Sequence, residues 1–86
     1  MSIEAPDDEA VIFREVDGEI LALDTRSNQI HQLNRTASLI WRMCRHGATA
    51  EEIAAELVDG FHVDDMTARR DIARTVERLR ALNLLK

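Results

Sequence analysis

Few side chains in this sequence have the type and spacing for covalent chemistry. Cys44 and His46 are the one candidate nucleophile and base near each other in the chain. They sit two residues apart in a stretch of helical texture, about 200° around its axis, so they leave different faces. A nucleophile must meet its base within hydrogen-bond reach, and this spacing forbids that locally. Cys44 reads instead as a small core residue. The three histidines, His31, His46 and His62, fall in a strand-like run, at a helix end and in a connector, with no CxxC, HxxxH or HExxH spacing. Asp7-Asp8-Glu9 lacks the central glycine of a calcium loop. The three glycines fall at turns and helix ends, not in a phosphate-cradling loop. Trp41, at core helical spacing, reads as packing. The expectation is a non-catalytic chain with no metal and no cofactor.

Binding is the chemistry that remains, and the bulk numbers narrow it. Eighty-six residues, 45% of them hydrophobic, make one modest core with no room for a deep cleft walled on all sides. Aromatic content is 3% with no tyrosine, so a base-stacking nucleic-acid surface has little to build on. The net charge of −5 opposes attraction to phosphate backbones and anionic membranes. A single cysteine excludes an internal disulfide and fits a reducing cytoplasm. There is no leader-like opening, and no apolar run approaches the roughly 18 residues of a membrane span. The chain is therefore expected to be cytoplasmic, with neither nucleic acid nor membrane as a partner.

The elements that must carry a binding surface are legible in order. Residues 1–9 are acidic and hold the lone proline, and are expected to form a flexible arm before a domain over 10–86. Val11 to Val16 is β-branched and aromatic, Asp17-Gly18 is a hairpin signal, and Glu19 to Asp24 reads as the returning strand. After the polar turn Thr25 to Asn28, Gln29 to Leu33 reads as a short third strand. Short connections favour an antiparallel meander with that strand at an edge. Asn34 is a good helix N-cap, and Ala37, Ile40, Trp41 and Cys44 share one helical face. Gly47 closes this helix. Thr49 with Glu52 forms a capping box for a second helix, which buries Ile53, Ala54, Leu57 and Val58 and stops at Gly60. Asp64 caps a third helix with Ala68, Ile72, Val76 and Leu79 as its core stripe. Asn83 is its C-cap, and Leu84 and Leu85 fold back onto the body. The fold class is α+β, winged helix-turn-helix-like: a three-stranded antiparallel sheet followed by a three-helix bundle.

Two surfaces in that arrangement are available to a ligand. The third helix carries Arg69, Arg70, Arg74, Arg78 and Arg80 against Asp65, Asp71 and Glu77. On a helical wheel Arg69, Ala73 and Arg80 flank the core stripe, while Arg74 and Arg78 point away. Arg70 or Arg74 paired with Glu77 is the bland alternative, a solvated face. The edge strand Asn28 to Leu33 offers unpaired amides and carbonyls to an added strand. A groove between that edge and an arginine-bearing helix suits a peptide with apolar anchors and acidic residues.

Leu33-Asn34-Arg35-Thr36-Ala37-Ser38-Leu39-Ile40-Trp41 resembles the LNxTAxxIW signature of PqqD-like proteins, named for protein D of pyrroloquinoline quinone biosynthesis. Thr49 to Leu57, Phe61-His62-Val63-Asp64 and the terminal Leu84-Leu85 also resemble that family, over roughly residues 10 to 86. Asn83 stands where relatives often have glycine. The resemblance implies a recognition element that binds the leader segment of a ribosomally made precursor peptide as a fourth strand. It also implies that the element presents the peptide to a modifying enzyme, often a radical SAM protein. Carried onto this chain, the peptide contacts are Asn28, Gln29, Ile30, His31, Gln32 and Leu33 on the strand. On the helix they are Arg69, Arg70, Ala73 and Arg80. Ile30 and Gln32 alternate to the face opposite Leu33 and bear on leader preference. A winged-helix DNA-binding regulator is the alternative, since the third helix would occupy the recognition position.

Overall fold

The computed structural model describes residues 11–85, so the expected acidic arm lies outside the described residues. Strands β1 (Val11–Val16), β2 (Glu19–Asp24) and β3 (Gln29–Leu33) form an antiparallel sheet in the order β1-β2-β3. Helices α1 (Arg35–Arg45), α2 (Ala50–Phe61) and α3 (Asp65–Ala81) follow. Among the described residues no helix is long and apolar enough to cross a membrane.

Local chemistry sets each boundary. Asp17 and Gly18 both take positive φ, 52° and 81°, as a two-residue hairpin turn of the right twist demands. In the second turn Asp24 accepts from the Arg26 amide at 2.9 Å and the Arg26 guanidinium at 3.2 Å, and Asn28 supplies another left-handed residue. Asn34 caps α1 by accepting from the Ala37 amide at 2.9 Å. Thr49 and Glu52 form the reciprocal capping box of α2, and Asp64 caps α3 through the Thr67 amide. Both α1 and α3 end in the same motif. Ala48 N–H reaches back to Met43 C=O, and Leu84 N–H to Leu79 C=O, with left-handed Gly47 and Asn83 at the bend.

α2 departs from the expectation at its end. It runs through Gly60 to Phe61 and turns at His62, which takes the left-handed conformation at φ 55°. Glycine inside the last turn costs only about 1 kcal/mol. Extending one residue lets Val63 pack half-buried against the core before Asp64 starts α3. Val58 is not core either. Ile53, Ala54 and Leu57 form the inward stripe, and Val58 lies beside it, 37% exposed.

The sheet's inner face presents Val11, Ile20, Ala22 and Leu33 to Ile40, Trp41 and Leu79 in one buried cluster. Trp41 lies 4.3 Å from the Phe13 ring, centroid to centroid, and donates through Nε1 to Leu84 C=O at 3.0 Å. That bond anchors the returning C-terminal leucines, both fully buried. Ser38 is buried among apolar neighbours and bridges three elements. Its hydroxyl donates to Leu33 C=O and accepts from Ile20 N–H, both at 2.9 Å. α1 is the helix that packs on the sheet, through β2 and β3, while α2 and α3 pack on each other and on α1. α3 thus stands off from β3 across the start of α1.

Candidate functional site

That standoff opens a cleft. Leu33 at the end of β3, Asn34, Thr36 and Ala37 at the start of α1, and Asp71, Arg74, Thr75, Arg78 and Leu79 of α3 line a cavity of about 250 Å³. Leu33, Ala37 and Leu79 are buried and give it an apolar floor. Its α3 wall is polar. Arg74 is tied to Asp71 at 3.1 Å, and Arg78 has no ion-pair partner among the described residues. The open edge of β3 adjoins it. β3 pairs only with β2 among the described residues, so its far side leaves main-chain donors and acceptors unpaired. Gln29, His31 and Leu33 share the inner face, and Ile30 and Gln32 point the other way.

A second cavity, about 610 Å³, lies on the opposite flank of α3, lined by residues that include Cys44, Ile53, Ile72 and Val76. Arg69, Ala73 and Arg80 line it too. Arg69 is bonded to Asp65 at 2.8 Å. The structure therefore does not bring Arg69, Ala73 and Arg80 together with Asn28 to Leu33. Arg70 is exposed and lines neither cavity. The arginines beside β3 are Arg74 and Arg78, which the helical wheel had turned away. The stripe Asp71, Arg74, Thr75 and Arg78 was visible at i, i+3, i+4 and i+7. A wheel fixes angles around α3 but not which flank turns to the sheet. The ion pairs differ as well. Arg69 pairs with Asp65 and Arg74 with Asp71, and Glu77 forms no ion pair among the described residues. In each pair the acid precedes the base, the orientation a helix favours.

The residues first weighed for catalysis stay apart. Cys44 is buried against the larger cavity, and burial pushes its thiol up, partly offset by the nearby Arg80 charge. His46 is exposed at the end of α1. A buried, protonated thiol is a poor nucleophile. Among the described residues no three of His, Cys, Asp and Glu gather as metal ligands.

The family model for coenzyme PQQ synthesis protein D (PqqD) matches residues 19–85. The chain belongs to the PqqD family. Two solved structures share the fold of this PqqD-family chain. One is described as lasso peptide synthetase B1 complexed with the leader peptide. It is 27% identical, with a TM-score of 0.88 over 100% of this chain and 99% of that one. The other is TbiB1 in complex with the TbiA(beta) leader peptide. It is 26% identical, with a TM-score of 0.82 over 96% and 94% of the two chains. A search among curated proteins finds no match. The family resemblance read from the LNxTAxxIW-like segment and the three-strand, three-helix fold are thus both borne out.

Proposed function

We propose that this PqqD-family chain binds the leader segment of a ribosomally made precursor peptide as a strand added to β3, and holds it for a modifying enzyme. The observation that carries this reading is the unpaired β3 edge beside a cleft with an apolar floor and Arg74 and Arg78 on its wall. Two structures of the same fold, solved with leader peptides, support it. Strand addition supplies main-chain hydrogen bonds of roughly 1 kcal/mol each, whatever the peptide sequence. The cleft supplies the selection, taking an apolar side chain against Leu33, Ala37 and Leu79 and an acidic one against Arg78. The contacts are Asn28 to Leu33 on the strand and Arg74, Thr75 and Arg78 on the helix, in place of Arg69, Arg70, Ala73 and Arg80.

The role is one of proximity, not bond-making: a held peptide has a raised effective concentration at the enzyme. Both leader-bound relatives are B1-type proteins. The recipient of the peptide is a modifying enzyme, and the likeness to a lasso peptide synthetase B1 favours a further component of such a synthetase over a radical SAM protein. A titration of isotope-labelled protein with the leader encoded beside this chain should shift amides of residues 29–33 and 71–78 together. Shifts confined to other residues at millimolar peptide would remove the reading. DNA binding through α3 would instead collapse steeply with salt.

A further inference from the structure

The cleft accounts for only one face of an added strand. Among the described residues the opposite, outer face of the sheet carries no helix, since α1 packs on the inner side. On that outer face Ile12, Leu23 and Ile30 stand directly opposite one another across β1, β2 and β3. Ile12 is 46% exposed, Leu23 is half-buried between its neighbours, and Ile30 at the edge is 67% exposed. The next row along is mixed, Arg14, Leu21 and Gln32, with Gln32 donating to Glu19 at 3.3 Å. An apolar row that crosses the whole sheet and ends on an open edge lacks its last neighbour.

Strand addition supplies that neighbour. Successive residues of a strand alternate faces, and a strand paired to β3 lies about 4.8 Å away. Whichever way it runs, one of its outward side chains falls beside Ile30, with Cβ atoms about 5 Å apart. The residues on either side of it turn inward, beside Gln29 and His31, on the face that carries Leu33 and the cleft. We propose that the leader is read on both faces. The outer readout selects a β-branched or aromatic side chain beside Ile30, continuing the Ile12–Leu23–Ile30 row to a fourth strand. This rests on the strand-addition reading and deepens it. Cross-strand apolar pairs of this kind favour such residues over alanine by up to about fivefold in binding. The Gln32 end of the face has no apolar row to extend, so an outward residue there is free to be polar.

The test uses a display library of random peptides, selected on the intact chain and on Ile30→Lys. Ile30 is mostly solvent-exposed, so the variant keeps its fold. Amide shifts locate each selected peptide, and nuclear Overhauser contacts to the side chain at position 30, the isoleucine methyls or the lysine methylenes, identify the position beside it. That position should be β-branched or aromatic on the wild type and turn acidic on Ile30→Lys, with inward positions unchanged. Peptides that shift residues 29–33 yet show the same residue there on both proteins would overturn the outer readout and leave strand addition standing. Selected peptides that shift only other residues, or no selected peptides, would overturn strand addition itself.

Discussion

The two flanks of α3 hold cavities of opposite character. The flank toward α1 and α2 is the larger at about 610 Å³, floored by Cys44, Ile53, Ile72 and Val76. The flank toward β3 is about 250 Å³ and lined mainly by polar side chains. Volume alone would favour the first. Its walls, however, are mainly helices, most of whose main chain is already hydrogen-bonded within each helix. An extended peptide laid there would bury its own amides without partners, at about 1–3 kcal/mol each. The smaller cleft adjoins the free edge of β3, where those amides are satisfied. If the leader adds to β3 as proposed, an open strand edge, more than cavity size, selects the place of a peptide backbone.

The largest expected effect attacks the support of one flank only. Ser38→Ala removes the hydroxyl that joins Leu33 C=O, Ile20 N–H and the start of α1. Two buried main-chain groups lose their partner, so stability should fall by about 2–3 kcal/mol in urea unfolding. A loss under about 0.5 kcal/mol would mean the junction of β3 and α1 is held otherwise. Next is a charge reversal on each flank in turn. Arg74→Glu with Arg78→Glu should weaken leader binding tenfold or more in calorimetry, because an acidic leader residue then meets like charge. Arg69→Glu with Arg80→Glu should change affinity less than about threefold, the remainder of a field screened over about 10 Å. Equal losses from the two pairs would erase the distinction between the flanks. A smaller effect again is expected of Ala73→Trp, which places an indole in the helix-side cavity. Leader affinity should stay within about twofold, whereas a tenfold loss would bring the peptide back to that side.

How much of this could be read from the chain divides along the same line. Features set by a few consecutive residues were legible: Asp17-Gly18, Asn34, the Thr49–Glu52 box, Asp64, and left-handed Gly47 and Asn83 all do what their side chains dictate. The edge position of β3 followed from short connections. The end of α2 is less legible, because a single glycine near a helix end breaks it only weakly and α2 continues through Gly60 to Phe61, with Val63 packed half-buried just beyond. Ser38 was missed because serine in a helical core pattern looks like a tolerated polar residue, and its partners Ile20 and Leu33 lie on two different strands. Which flank of α3 faces β3 across the cleft was not legible for a similar reason. It depends on how α3 crosses α1, a relation between distant elements that a wheel drawn on one helix does not contain.

The smallest expected effect separates the turn that sets the β3 edge from the caps that set the helices. Asp24 is held below the ordinary carboxylate range by the Arg26 guanidinium and then by the Arg26 amide. Asp64 is lowered by the Thr67 amide, and Glu52 by the Thr49 amide and hydroxyl. Each folded-state value lies below its unfolded one. The stability they add is therefore full above the unfolded values, about pH 4, and is lost as pH falls through the folded ones. Asp24→Asn should remove only the share belonging to the β2–β3 turn. It keeps a side-chain oxygen for the Arg26 amide but loses the charge that pairs with the guanidinium. Its unfolding midpoint should lie slightly below wild type at pH 7 and draw closer to it as pH falls below 4. Asp64→Asn should shallow the same acid limb through the cap of α3, leaving β3 amide exchange unchanged. A gap that persists undiminished to pH 2 for Asp24→Asn would show that the Arg26 pair contributes nothing to the edge.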